Sequence, residues 1–141
     1  MERKKYLVTG GIGFIGNNLV RRLVKSGQSV RILDNGFRGK EERLKDILNK
    51  IELIKADIRN PFDVQRACKD IDCVCHLASL NGTEFFYTQP ELVLEVSVKG
   101  IINILDGCIK EGVQELILAS SSEVYQTPPY QYPKSYPSAP H

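Results

Sequence analysis

The chain has 141 residues, 42% hydrophobic and 26% charged, with 19 basic against 17 acidic side chains and a formal charge of +2. That length suits one domain, the apolar share can build a core, and the near balance of charge gives no electrostatic reason to expect a nucleic-acid or membrane partner. No apolar run approaches the roughly 18–20 residues that cross a bilayer, and the basic start Glu2-Arg3-Lys4-Lys5 leads into an apolar run too short for a signal peptide, so the expectation is a soluble, cytoplasmic protein.

Tyr6-Leu7-Val8-Thr9 reads as a short first strand, ending in Gly10-Gly11-Ile12-Gly13-Phe14-Ile15-Gly16. Apolar residues then recur at Ile15, Leu19, Val20, Leu23 and Val24 with helical period, and Gly27 is placed to close that helix. Ser29 to Leu33 predicts a second strand, stopped by the turn signal Asp34-Asn35-Gly36. Two strands around one helix imply a right-handed parallel crossover. Lys40 to Lys50 predicts a short charged helix with Leu44, Ile47 and Leu48 inward, before a third strand from Ile51 to Lys55. Pro61 opens a helix through Lys69, at the first-turn position where proline is tolerated. Cys73 to Leu77 predicts a fourth strand, Ser79 to Gln89 a loop, and Pro90 onward a long helix closed by Gly112. On that helix Leu94, Val98, Ile101, Ile102, Leu105 and Ile109 are expected to face the core, and Glu115 to Leu118 is a fifth strand.

Strands alternating with helices imply an α/β fold, a Rossmann-type doubly wound parallel sheet of about five strands in the order 3-2-1-4-5. From Thr127 the character changes, because five of the seven prolines fall within the last fifteen residues, where neither a helix nor a central strand can form. The expected organisation is therefore one incomplete domain over residues 1–126 and an irregular Pro-rich tail over 127–141. The four cysteines are too few and too scattered for a disulfide scaffold. Cys73-x-Cys75-His76 lacks four-ligand zinc spacing, so small buried thiols on one face of a strand are the preferred reading and no metal is expected.

A lone glycine pattern is weak evidence. Here Gly10-x-x-Gly13-x-x-Gly16 follows a strand and opens a helix, and Asp34 ends the next strand, which is the more specific signature of a dinucleotide site. Gly10 makes the turn, Gly13 lets a pyrophosphate approach the backbone, and Gly16 lets the helix pack on the sheet, while the helix N-terminus favours phosphate charge. A carboxylate at Asp34 accepts hydrogen bonds from ribose hydroxyls and repels a 2′-phosphate, so NAD is the expected cofactor, with Arg38 the one nearby cation that partly counters this.

These residues resemble a known family. Thr9-Gly-Gly-Ile-Gly-Phe-Ile-Gly16 is similar to the fingerprint of extended short-chain dehydrogenases, the NAD-dependent sugar-nucleotide epimerases and dehydratases, and the resemblance runs from Lys5 to about Tyr125. It adds Phe14, Ile15 and Asn35 to the expected cofactor site. It also implies that Asp57 and Ile58 face the adenine and that Leu77 and Ala78, after His76, line the cofactor's path. By its residues alone Asp57 is equally a helix-capping carboxylate before Pro61. Val96-Ser97-Val98-Lys99-Gly100 resembles the family's Asn-Val-x-Gly segment with Ser97 in place of asparagine, a shorter group that keeps one donor and its acceptors.

Ser120-Ser121-Ser122-Glu123-Val124-Tyr125 follows the fifth strand, where open α/β sheets place ligands. The resemblance makes Ser121 the catalytic hydroxyl and Glu123 the acid/base residue of dehydratases, with similar Ser-Glu-Val-Tyr sequences in sugar-nucleotide decarboxylases. Without the resemblance, a serine cluster capping a turn is the simpler reading. The family also needs a helical Tyr-x-x-x-Lys pair. The sole match is Tyr130-x-x-x-Lys134, too close to Ser121 and interrupted by Pro133, so it reads as chance and the true pair is expected beyond His141.

The expected function is the NAD-binding portion of a sugar-nucleotide epimerase or dehydratase that works by transient hydride transfer at a sugar carbon, inactive as an isolated chain. A nucleotide-sugar is the expected partner of the full-length form, and self-association through the exposed fifth strand is a further expectation. Two rivals stay open: a non-catalytic dinucleotide-binding module or sensor, and a flavodoxin-type redox protein, against which the glycine spacing and Asp34 argue.

Overall fold

The computed structural model describes residues 3–125. The expected tail over 127–141, and with it the boundary at 126, lies outside these residues. Five parallel strands form one sheet in the order β3-β2-β1-β4-β5. They are β1 Lys5–Thr9, β2 Ser29–Asp34, β3 Ile51–Lys55, β4 Cys73–His76 and β5 Glu115–Leu118. The expected topology is the observed one.

Strand β1 is central, pairing Thr9 with Leu33 on one side and with His76 on the other. Helices cover both faces of a parallel sheet, so Leu7 and Val8 are both fully buried although they point in opposite directions. On one face Val8, Val30 and Ile32 pack with Val20 of α1 (Phe14–Lys25) and with Leu44. On the other Leu7, Leu33 and Val74 pack with Val64 of α2 (Pro61–Cys68) and with Ile104. Cys73 and Cys75 share the first face, and all four cysteines are buried free thiols; burial pushes Cys68 and Cys73 up to about 12. Arg31 on β2 is almost fully buried because its guanidinium reaches Glu52 at 2.7 Å and the Ala67 and Lys69 carbonyls at 2.7 and 2.6 Å. Among the described residues no helix is long and apolar enough to cross a membrane.

Three local expectations need correction. Lys40 to Lys50 forms two 3₁₀ turns, Glu41–Leu44 and Leu48–Lys50, rather than an α-helix. Its two inward residues, Leu44 and Ile47, are three apart, which is the 3₁₀ period, and Leu48 faces outward. The expected loop from Ser79 to Gln89 contains a six-residue helix, α3 (Thr83–Thr88), begun at Gly82 and held from outside by the contact of Phe85 with Phe37.

The third correction concerns the long helix. It runs as α4 (Pro90–Leu94), a π-helical turn over Glu95–Lys99, and α5 (Gly100–Glu111), ending on left-handed Gly112. The residues expected inward are largely outward: Leu94, Val98, Ile102, Leu105 and Ile109 are 44–78% exposed, and only Ile101 packs against the core. The buried face is Val93, Gly100, Asn103, Ile104, Gly107 and Cys108. Close approach decides this. A Cβ on Gly107 would sit 3.1 Å from Val64 and Cys68 of α2, and one on Gly100 would sit 2.5 Å from Ile58. The helix carries two apolar stripes, and the one with small residues lets the backbones meet.

Candidate dinucleotide site

All the strands end on one edge of the sheet, and a cleft opens there over β1, β2 and β3. Its lining includes Gly10, Gly13, Asp34, Asp57, Ala78 and Leu92. The glycine turn forms its floor. Gly10 takes a left-handed φ of +70°, donates to the Leu33 carbonyl at 3.0 Å and accepts from Gly13 N–H at 3.0 Å. A Cβ on Gly16 would lie 2.1 Å from the Gly10 carbonyl oxygen, so the first turn of α1 touches the loop with no room for a side chain. Gly13 is the extended N-cap residue, no side chain caps α1, and no acidic residue lies in its first turn. Phe14 and Ile15 are exposed beside these N–H groups. The result is a helix terminus open to phosphate.

Asp34 is 8% exposed at the tip of β2. One carboxylate oxygen accepts from Ile12 N–H at 3.2 Å and the other from Gly36 N–H at 2.9 Å. A carboxylate has about four acceptor positions, so roughly two remain for a ribose diol. Ile12 is braced again through its carbonyl, which accepts from Lys40 N–H at 3.3 Å and the Arg43 guanidinium at 3.1 Å. Asn35 accepts from Phe37 N–H and donates to Asp57, both at 3.0 Å.

Beyond β3, Asp57 accepts from Asn35 and three times from Arg59, through its backbone N–H, Nε and a terminal nitrogen, all within 2.9–3.0 Å. Hydrogen bonds from the Arg59 guanidinium hold this carboxyl down at about 2. Asn60, not Asp57, caps α2, accepting from Phe62 N–H at 3.0 Å. Ile58 is buried against Gly100, and its carbonyl accepts from Asn103 at 2.9 Å.

On the far side of β1, Thr9 organises the path over Leu77 and Ala78. Its hydroxyl oxygen accepts from both backbone N–H groups at 3.1 Å. Its own proton is then directed to His76 Nδ1 at 2.7 Å, which makes His76 a neutral imidazole protonated at Nε2. Burial lowers the His76 pKa to about 4, in agreement with that state. Gly10 closes the group, since a Cβ there would be 3.0 Å from Ala78 N. Across the mouth, Arg38 donates to the Asn81 carbonyl and Phe37 meets Phe85 with ring centroids 6.0 Å apart.

The structure thus brings Gly10, Gly13, Asp34, Asn35, Asp57, Ile58, Leu77 and Ala78 around one cleft, with Phe14, Ile15 and Gly16 on the helix turn beside it. Ser121 lies past β5, exposed, outside the cleft lining. Glu123 belongs to the short turn Ser122–Tyr125. Sequence reasoning missed Arg59, Glu95 and Asn103 as bracing groups, and gave Thr9 and His76 no role. An Arg two residues after Asp57 and a polar Asn on a buried helix face were the signals available.

The model of the 3-beta hydroxysteroid dehydrogenase/isomerase family matches residues 7–131. The UDP-N-acetyl-alpha-D-glucosaminuronate decarboxylase of Bacillus cytotoxicus is 35% identical over 130 residues, 91% of this chain and 40% of that protein. The crystal structure of UDP-glucose-4-epimerase from Stenotrophomonas maltophila, with bound NAD and formylated UDP-arabinopyranose, superposes with a TM-score of 0.83 at 27% identity, covering 91% of this chain and 40% of that one. UDP-N-acetylglucosamine 4-epimerase from Methanobrevibacter ruminantium, in complex with UDP-N-acetylmuramic acid, gives a TM-score of 0.82 at 31% identity, covering 96% of this chain and 44% of that one. The chain spans less than half the length of each of these relatives. Fingerprint, strand order and matched length agree, and the chain belongs to the 3-beta hydroxysteroid dehydrogenase/isomerase family of extended short-chain dehydrogenase type.

Proposed function

We propose that this chain is the NAD-binding portion of an enzyme that remodels a nucleotide-sugar. The observation that carries the reading is the buried Asp34 carboxylate, held by Ile12 and Gly36 with acceptor capacity left over, beside an uncapped helix terminus at a turn that admits no side chain. Those features fit a dinucleotide's ribose and pyrophosphate. NAD, when bound, supplies reversible hydride acceptance. The chain's residues hold it: the α1 N–H groups face the phosphates, Asp34 accepts from the ribose hydroxyls, and Thr9 fixes the backbone of Leu77 and Ala78 along the path.

In the same reading Ser121 hydrogen-bonds the sugar hydroxyl that is oxidised, and Glu123 moves a proton at the carbon next to the transient ketone, opening epimerisation, elimination or decarboxylation. The similarity to a sugar-nucleotide decarboxylase and to two epimerases supports the nucleotide-sugar class. Turnover needs a helical Tyr-x-x-x-Lys pair, and the sequence holds only Tyr130-x-x-x-Lys134 with Pro133 inside it, so the isolated chain binds without turning over. The outward side chains Ile117 and Leu118 of β5 support self-association on that side of the sheet.

Calorimetric titration with NAD and NADP tests the reading. NAD is expected to bind more tightly, because the 2′-phosphate would approach Asp34 while Arg38 is engaged on the Asn81 carbonyl. Asp34→Ala should narrow the gap and Arg38→Ala should leave it unchanged. Equal or tighter NADP binding by the wild type overturns the assignment.

A further inference from the structure

Arg31 carries more donors than its contacts within the fold use. Nε donates to Glu52 at 2.7 Å, and Nη1 donates to the Ala67 and Lys69 carbonyls at 2.7 and 2.6 Å, closing the C-terminal end of α2. Nη2 meets no acceptor among the described residues, although Arg31 is only 7% exposed. It is not sealed in either, since none of the fully buried side-chain nitrogens and oxygens among those residues lacks a partner. This nitrogen therefore opens into the second cleft, which Arg31 lines, a space of about 480 Å³ where the C-terminal end of α2 meets β3.

That cleft shares no lining residue with the dinucleotide cleft. It lies along β3, the edge strand that pairs only with β2, and Arg66 and Lys69 rim it. Arg66 is 65% exposed and gives one bond, from Nη2 to Asp63 at 3.1 Å. Lys69 forms no ion pair among the described residues, and Lys55 at the far rim is held by Glu41. Glu52 is the one carboxylate in the lining, and Arg31 and Lys5 lie against it at 2.7 and 3.9 Å. Spare donors and cations that outnumber the carboxylates select an anion.

We propose that this cleft is a second binding site, separate from the first, which takes the phosphoryl group of a small phosphorylated molecule on Arg31 Nη2, Arg66 and Lys69. A phosphoryl dianion presents three oxygens on a tetrahedral centre, enough to meet two guanidinium groups and an ammonium together, whereas a carboxylate presents two in one plane. The volume is that of a small-molecule pocket and leaves room for the rest of such a ligand. Arg31 suits the role because two carbonyls and Glu52 fix its plane before any ligand arrives.

The test is titration of the isotope-labelled 141-residue chain with inorganic pyrophosphate, followed through its amide NMR signals, with and without saturating NAD. Saturable shifts are expected at Glu52 to Lys55 and at Arg66 to Lys69 under both conditions. Arg66→Gln and Lys69→Gln change outward side chains, and each should weaken pyrophosphate about threefold, and both together about tenfold, with melting temperature and NAD affinity unchanged. Glu52→Gln keeps an acceptor for Arg31 Nε but removes the one negative charge of the lining, so it should tighten pyrophosphate about threefold, a gain that a purely structural role would not produce. Shifts confined to Gly10 to Gly16 mean that pyrophosphate sits at the glycine turn alone, and shifts that never saturate mean an adventitious ion only; either result overturns the proposal. It is also overturned if succinate binds the same residues as tightly as pyrophosphate, because charge and not phosphoryl geometry is then what the cleft reads.

Discussion

The strand ends of β1, β2 and β3 and the outward faces of α5 and β5 are finished in opposite ways. At the first, each loop is tied to a neighbour: Ile12 to Asp34, Asn35 to Asp57, Arg59 to Glu95, and Thr9 to both Leu77 and Ala78. At the second, Ile102, Leu105, Ile109, Ile117 and Leu118 stand 44–78% exposed, with no polar network among the described residues to order them. A ligand cleft needs its groups fixed before the ligand arrives, because ordering them afterwards costs affinity. An apolar surface needs only a cover. The difference separates the part of the molecule specified by hydrogen bonds from the part specified by shape and exclusion of water.

The sharpest way to break the ordered region is a methyl group. In Gly16→Ala the new Cβ would lie 2.1 Å from the Gly10 carbonyl oxygen and 2.8 Å from Gly11 Cα, both backbone atoms that cannot swing aside. We expect a loss of stability above about 3 kcal/mol, from strain of this kind, and NAD binding weakened more than about 100-fold. Gly27→Ala is the control. Nothing lies within 4 Å of that position, so only the left-handed φ of +79° opposes it, at about 1–2 kcal/mol. Thermal unfolding of both variants measures the contrast, and equal shifts would mean that the turn is looser than described.

The next effect is smaller and depends on pH. His76 is neutral in the folded chain with a pKa near 4, lowered by burial from an ordinary 6.5. The unfolded state therefore binds the extra proton first as pH falls. This contribution is intact above about pH 6.5 and is lost progressively down to about pH 4, for a total of roughly 3 kcal/mol. Asp57, held at about 2, adds a loss only below about pH 4, as its carboxyl protonates. Chemical denaturation between pH 7 and 4 should show the first slope, and His76→Gln should flatten it. A wild-type stability constant over that interval would contradict the buried Thr9–His76 bond.

The strands, the glycine turn and Asp34 were legible because each rests on a short-range rule: apolar runs between turn residues, and glycine where a side chain cannot fit. The bracing groups were not, because Arg59 and Glu95 are 36 residues apart and meet only once the π-helical turn lies against the loop after β3. The helix face was misread for a related reason. Periodicity finds apolar stripes, and Pro90 to Glu111 has two, but it does not weigh the close contact that Gly100 and Gly107 permit with Ile58 and α2. The π-helical turn over Glu95–Lys99 also shifts the phase between the two halves, so no single 3.6-residue template fits both.

That misreading supplies the finest test of the comparison. Ile104 and Ile109 are the same residue type, five positions apart on one helix, at 0% and 78% exposure. Ile104→Ala should cost about 2–5 kcal/mol, because it removes methyl groups from the core shared with Leu7, Leu33 and Val74 and leaves a cavity behind. Ile109→Ser should change stability by no more than about 0.5 kcal/mol, the usual range for an outward side chain. The measurement must be made at low protein concentration, since a contact with a second copy would stabilise the folded state by mass action. If Ile109→Ser costs more than about 1.5 kcal/mol and the cost grows with concentration, the stripe is covered in solution by another copy of the chain. If it costs that much at every concentration, the orientation of α5 described above is wrong, and Ile109 belongs to the core that its spacing alone suggests.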